Sequence, residues 1–268
     1  MKDYPYALST LIVGVLGASA ALVSAFFIKE TLKRDESGNK GKKEVPMTTW
    51  EIFKSPGVPT VLFLYGHTML LAFAYTAVVP VFQFTDVALG GYGFTPIQIS
   101  LFLMLAGASQ AIWILFVFPP LQRRIGTGGV LRLCYFCYPI SMALPPISNV
   151  LLRNNMRTAF WILTPLASVF GSGVSMAFTA VQLALNDVAP SPSTLGTLNA
   201  LSLTVTSGLR AFAPALFASV FATGVRGQIL GGYLIWVILV VLACANFVVM
   251  RWFPARAEGK IKRTAGDE

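Results

Sequence analysis

Arg210 and Pro214 stand one helical turn apart inside an apolar stretch long enough to cross a membrane, and they carry the first chemical argument. A charged side chain near the bilayer centre costs roughly 3 kcal/mol on insertion scales, so it faces protein or water rather than lipid. Pro214 lacks an N–H, so the carbonyl of Arg210 loses its usual helix bond. Backbone freed in this way is tolerated only beside other helices or a wet cavity. Both signs place this face inward, on a crevice that could pass a solute, with a helix kink at Pro214. The competing reading is an arginine snorkelling to a headgroup, which apolar sequence on both sides of it disfavours.

The other chemistry-bearing side chains at membrane depth are few. His67, the single histidine of the chain, could carry a proton or bond a solute, or be a neutral histidine bonded across helices. Gln110 and Trp113, Gln182 and Asn186, and Asn199 offer polar groups within or at the ends of apolar spans. Such groups line a cavity or bond between helices, the latter for about 0.6 kcal/mol each. Every Asp and Glu falls in a loop, a terminus or, for Asp187, a span end, so no mid-membrane carboxylate is available to carry protons.

Enzyme chemistry finds no support. H-E-x-x-H, G-x-S-x-G and a Walker A loop are all absent from the sequence. Cys134 and Cys137 form a C-x-x-C without a second pair, and with Cys244 they read as small buried hydrophobes, leaving neither a metal nor a cofactor to expect. Gly90-Gly91-Tyr92-Gly93 superficially resembles a potassium filter, but the preceding Thr-Val pair is missing.

The elements that must position these residues follow from composition. The chain has 268 residues, 55% hydrophobic and only 12% charged, against about 25% charged in an ordinary soluble domain. An all-α polytopic membrane protein is the fold class this implies. Apolar runs of the length needed to cross about 30 Å of hydrocarbon lie near residues 4–28, 58–82, 97–118, 131–151, 159–185, 197–221 and 232–252, giving seven transmembrane helices. The first is distinguished from a signal peptide by its continuation past Ala18-Ser19-Ala20 into the charged stop Lys29 to Arg34. Pro139, Pro145 and Pro146 are expected to interrupt the fourth span, and Ser168, Gly171, Ser172, Gly173 and Ser175 to form a close-packing patch in the fifth.

The net charge of +9 sits in short loops between apolar runs, so the partner it implies is anionic lipid and not nucleic acid. Lysines and arginines concentrate in residues 29–54, 123–132 and 251–263. If those loops are cytoplasmic, the N-terminus is outside or lumenal and the C-terminus cytoplasmic, as the positive-inside rule requires. A seven-helix receptor would share that topology; against it, no Asp-Arg-Tyr follows the third span and no Asn-Pro-x-x-Tyr lies in the seventh. A non-transporting membrane sensor or scaffold remains a further alternative.

Several stretches resemble the major facilitator superfamily, in its fungal-type drug:H+ antiporter and zinc-induced-facilitator-like branch. They are Tyr4 to Leu8 with Glu30-Thr31-Leu32, Pro80 with Gly90 to Phe94, and Arg123-Arg124-Ile125-Gly126. The most specific are Ala189 to Pro192, Leu195 to Asn199, and Arg210 to Ala215. The resemblance implies an incomplete major facilitator fold. Residues 1–28 would match family helix six, 29–57 a cytoplasmic basic linker, 58–253 the six-helix C-terminal half, and 254–268 a cytoplasmic tail. Arg123, Arg124 and Gly126 would form the cytoplasmic gate loop, and His67, Gln110, Gln182, Asn199 and Arg210 would face the substrate pathway.

Family helices one to five have no counterpart in the sequence. The expectation is therefore the C-terminal part of a secondary transporter, incompetent alone. Its other wall would be a missing N-terminal half, its work proton-coupled efflux of a small molecule, and its site the plasma or vacuolar membrane. A truncated gene model is preferred over a natural short form.

Overall fold

The computed structural model describes residues 7–27 and 47–259. The expected stop Lys29 to Arg34, most of the basic linker and residues 260–268 of the tail lie outside the described residues. Residues 1–46 and 47–268 form two separate units. In the first, α1 (Ala7–Phe27) is a 21-residue helix with exposed side chains from Thr10 onward. A helix apolar on every face and exposed is a membrane span rather than part of a water-facing surface.

The second unit begins with α2 (Thr49–Lys54), whose capping box is legible in the sequence. The Thr48 backbone N–H donates to Glu51 Oε2 at 2.8 Å, and the Glu51 N–H returns a bond to Thr48 Oγ1 at 3.4 Å. Ile52 is buried and Trp50 exposed, stacked on Phe53 with ring centroids 5.6 Å apart. Gly57, at φ 89°, turns the chain into α3 (Val58–Phe84), and a Cβ there would press on the Pro254 side chain. Then come α4 (Pro96–Ile112), a π-helical turn (Trp113–Val117), α5 (Phe118–Arg153), α6 (Arg157–Gly171), a 3-10 turn (Ser172–Ser175), α7 (Met176–Asp187), α8 (Leu195–Arg226) and α9 (Leu234–Val249). No strand occurs among the described residues. In α3 the buried side chains Val58, Val61, Leu64, Leu71, Ala74 and Val78 recur every three or four positions or at multiples of that spacing, forming one stripe. Its most extensive packing is against α8, and α5 packs most extensively against α9.

Among the described residues, six helical runs, not seven, are long and apolar enough to cross a membrane. The expected third and fourth spans are arms of one 58-residue run, Pro96–Arg153, about 87 Å long at 1.5 Å per residue. Non-helical torsions at Gly126 (φ 76°, ψ 170°) break it. Its two ends lie on the same side, because the Arg153 guanidinium donates to the carbonyls of Val87 (3.1 Å) and Ala88 (3.0 Å), in the loop that leads into Pro96. The run therefore goes out and returns. Pro139, Pro145 and Pro146 do not interrupt α5, which continues through all three; packed neighbours make a proline-freed carbonyl tolerable in a buried helix.

The second unit thus has two polar ends. One gathers the loop 85–95, the α5–α6 turn and residues 228–233. Asn149 ties it together: Nδ2 donates to the carbonyls of Val87 (3.1 Å) and Gly91, and Oδ1 accepts from the Tyr233 hydroxyl at 2.5 Å. Gly91 is required here because a Cβ would collide with the carbonyls of Thr85 and Phe82. The glycine cluster is a packed turn. The other end gathers α2, Gly57, the Gly126 break and the 3-10 turn Ala255–Glu258, where Arg132 ion-pairs with Glu258 and Ala257 is fully buried.

Candidate functional site

The five predicted pathway residues do not form one cluster. His67 is half-buried on α3 with Nε2 2.9 Å from the Leu242 carbonyl of α9. A carbonyl only accepts, so Nε2 carries the proton in this bond. This is the geometry of a histidine bonded across helices. Gln182 of α7 donates through Nε2 to Asn199 Oδ1 of α8 at 2.9 Å, so these two meet each other across the turn 188–194. Gln110 lies on the wall of an internal cavity.

Arg210 is exposed on α8, midway along the 35-residue span Pro192–Arg226. Its guanidinium carbon lies 5.7 Å from the centroid of Phe73 on α3, a cation–π contact. No carboxylate lies within ion-pair distance of it among the described residues. Pro214 is half-buried four residues on, and α8 runs unbroken across it. The two helices that pack most closely therefore share a face on which a cation stands open.

At the end of the unit that holds residues 255–258, Arg123 and Arg124 are exposed and Gly126 is buried in its non-helical conformation. Gln122 Nε2 donates to Thr127 Oγ1 at 3.2 Å across the break. A Cβ on Gly128 would strike the Glu258 carboxylate, so the segment after the chain break is seated directly against residues 255–258.

A cavity of about 370 Å³ lies inside the second unit, between α3, α4, α5, α6 and α7, with Trp236 of α9. One wall is a stripe that the sequence presents at helical spacing: Thr164, Ser168, Gly171, Ser172 and Ser175. Apart from Thr164, these small residues, expected only to permit close packing, border open space. The helix changes pitch there for a visible reason. The Val169 carbonyl accepts from Trp113 Nε1 at 2.8 Å and from Ser172 Oγ at 2.7 Å. Trp113 lies in the π-helical turn, and a Cβ at Gly173 would sit 3.1 Å from its ring. Close approach of the two irregular turns depends on that glycine.

Gln83, Thr164 and Trp236 are among the cavity residues that sequence reasoning missed. Gln83 Oε1, Thr164 Oγ1, Ser175 Oγ and Trp236 Nε1 are all buried without a hydrogen-bond partner among the described residues. The usable signal was the polar recurrence from Thr164 to Ser175; Gln83 and Trp236 stand near span ends, where such residues are ordinary interface anchors.

The arrangement defines an all-α polytopic membrane protein with a largely apolar cavity, bordered on one side by small polar residues, inside its helical bundle. Comparison with known proteins carries this further. The chain is 46% identical over 257 residues to the efflux pump azaK of Aspergillus niger, an alignment covering 96% of this chain and 55% of the pump. It is 26% identical over 228 residues to the major facilitator-type transporter psiT2 of Psilocybe cubensis, covering 80% and 42%. A probable peptide/nitrate transporter of Arabidopsis thaliana is 24% identical over 237 residues, covering 79% and 46%. The resemblance to the major facilitator superfamily is thus borne out over nearly the whole chain, which spans about half the length of these relatives. No family model matches the chain, and no solved structure matches it.

Proposed function

We propose that the chain forms one wall of the pathway of a major-facilitator-type secondary transporter, moving a small molecule outward in exchange for protons. The second wall is an N-terminal half like the part of the relatives that this chain does not span. The reading places residues 29–57 as a cytoplasmic basic linker between the halves, residues 58–253 as the C-terminal half, and the tail in the cytoplasm. Lys54, Arg123, Arg124, Arg132, Arg251 and Arg256 share one end of the unit with the tail, which supports that orientation under the positive-inside rule. The plasma or vacuolar membrane is the proposed location.

The observation that carries the reading is Arg210, exposed at mid-span with the Phe73 ring as its recorded contact. Lipid tails on that face would cost roughly 3 kcal/mol on insertion scales, whereas a facing half or a wet pathway removes the penalty. Asn199, on the same helix, and Gln110 supply hydrogen-bonding groups to the pathway. The gate loop of Arg123, Arg124 and Gly126 closes its cytoplasmic end. His67, bonded to α9, serves to hold helices together more readily than to carry protons, so the principal proton carrier belongs to the other half.

The test is reconstitution of the two-half protein in proteoliposomes and efflux measured with and without a pH gradient. Arg210→Ala is expected to lower transport roughly tenfold, about 1.4 kcal/mol of lost transition-state stabilisation, with insertion intact. Wild-type efflux from that variant would remove the assignment.

A further inference from the structure

The end of the second unit away from the tail holds a separate, open hollow of about 620 Å³, within the range of small-molecule sites, roughly 300–1,000 Å³. It is bounded by the loop 85–95, the start of α4, the end of α5 and the start of α6, and it shares one lining residue, Tyr92, with the internal cavity.

Two residues of opposite charge line it from different elements. Asp86 heads the 3-10 turn Val87–Leu89, and Arg157 is the first residue of α6. Both are exposed, and neither side chain makes a hydrogen bond or an ion pair among the described residues. Local structure accounts for neither. The Asp86 carbonyl, not its carboxylate, accepts from the Leu89 and Gly91 N–H groups, each at 3.0 Å. A cation on the first residue of a helix opposes the macrodipole, which favours acidic groups there.

The wall beside these charges is held firmly. The Val87 carbonyl accepts from Asn149 Nδ2 and from Arg153 Nε, both at 3.1 Å, and the Ala88 carbonyl accepts from Arg153 at 3.0 Å. Trp161 stacks on Phe94 with centroids 5.6 Å apart and planes 13° from parallel, yet the indole stays exposed. One of its faces is covered and the other is open. Gln98 Oε1 accepts from the Thr95 N–H at 2.9 Å and the Thr95 hydroxyl at 3.1 Å, which leaves the amide NH2 of this lining residue as an unused donor.

We propose that the hollow binds a zwitterion of the phosphocholine type, a phosphate and a quaternary ammonium joined by two carbons. Arg157 and the Gln98 amide donate to the phosphate. Asp86 and the open face of Trp161 receive the ammonium. A molecule bearing both charges satisfies both side chains, whereas a lone anion meets the Asp86 carboxylate and a lone cation meets Arg157. The hollow stands at a polar end of the membrane-crossing runs, level with phospholipid headgroups, so the group can arrive on a lipid or on a soluble molecule. The inference does not use the pathway reading.

The experiment takes the full chain in nanodiscs of phosphatidylglycerol, which supply no ammonium, with empty nanodiscs subtracted. In one arm, equilibrium dialysis measures binding of sn-glycero-3-phosphocholine, choline and glycerol 3-phosphate. In the other, native mass spectrometry reads which lipid the protein retains from equimolar phosphatidylcholine and phosphatidylglycerol. Saturable binding of glycerophosphocholine roughly tenfold tighter than either fragment marks a soluble source, and preferential retention of phosphatidylcholine marks a headgroup; each supports the proposal. Asp86→Asn and Arg157→Gln should weaken the positive arm about three- to tenfold and leave the thermal midpoint unchanged, since neither side chain holds another element. Arg226→Gln, which alters an exposed cation at the same end but outside the hollow, should leave binding unchanged.

The proposal is overturned if neither arm shows a preference, if choline or glycerol 3-phosphate binds as tightly as the zwitterion, or if Asp86→Asn and Arg157→Gln keep wild-type affinity. It is also overturned if Arg226→Gln weakens binding as much as they do, the mark of a diffuse field instead of a site. None of these outcomes depends on transport, so failure here and failure of the pathway reading are separately visible.

Discussion

Asn149→Ala is expected to destabilise the second unit by about 3 kcal/mol, and the structure gives the reasoning. Asn149 is fully buried. It joins α5 to the loop 85–93 through the carbonyls of Val87 and Gly91, and to the start of α9 through the Tyr233 hydroxyl. Alanine removes all three bonds, but the Val87 carbonyl keeps the Arg153 Nε donor at 3.1 Å. The buried Gly91 carbonyl is then left without this partner at about 1–3 kcal/mol, and the half-buried Tyr233 hydroxyl loses a hydrogen bond worth about 1 kcal/mol. Unfolding of the purified protein in mixed micelles, titrated with dodecyl sulfate and followed by circular dichroism, measures the loss. Asn149→Asp sharpens the test. An ionised carboxylate only accepts, so it keeps Tyr233 and repels both carbonyls, and its deficit should shrink on acidification as the carboxyl regains a donor. In a double-mutant cycle with Tyr233→Phe, a coupling near 1 kcal/mol is expected. A loss below about 0.5 kcal/mol for Asn149→Ala would refute the claim that this side chain holds the end of the bundle together, because that is the range of inconsequential surface changes.

Two other outcomes follow from the same kind of reasoning. Asn246 is fully buried on α9 with both amide atoms unpaired among the described residues, so Asn246→Leu should stabilise the protein by roughly 1–3 kcal/mol in the same unfolding assay; a loss of stability would mean that Asn246 has a polar partner after all. The bonds Glu51 receives from the Thr48 backbone and side chain hold its carboxyl below the ordinary glutamate range. Its folded pKa being lowered, the cap contributes above the unfolded value of about 4.3 and is lost as pH falls through the folded one. Fluorescence of Trp50, selected by comparison with Trp50→Phe, should report fraying of α2 with a midpoint below that unfolded value, and Thr48→Ala should move the midpoint upward.

The spans were legible because their signal is one-dimensional: twenty apolar residues between charged stops read the same in any packing. The merger of two of them was not, since Gly126 leaves the hydrogen-bonded run continuous while turning it, and glycine alone does not announce torsions. The site divided along the same line. Arg210 stood out from the sequence because a charge in hydrocarbon is anomalous whatever surrounds it. His67 did not declare its role, because the Leu242 carbonyl that occupies it lies 175 positions away. The Gln182–Asn199 bond required knowing that the chain folds back at 188–194. Thr164 to Ser175 carried a readable polar stripe, yet small residues serve tight packing and open space equally, and only the disposition of neighbouring helices separates the two.

The π-helical turn at Trp113–Val117 sets an angular phase. Such a turn carries one residue beyond the α-helical count, and each residue advances a helix by about 100°. Excising a single position there would swing all of α4 about its own axis relative to α5, carrying Gln110 and Gly107 off the cavity and a leucine or methionine face toward it. One inserted amino acid thus decides which side of a transmembrane rod is wetted, an alteration that no side-chain substitution elsewhere in the bundle could reproduce.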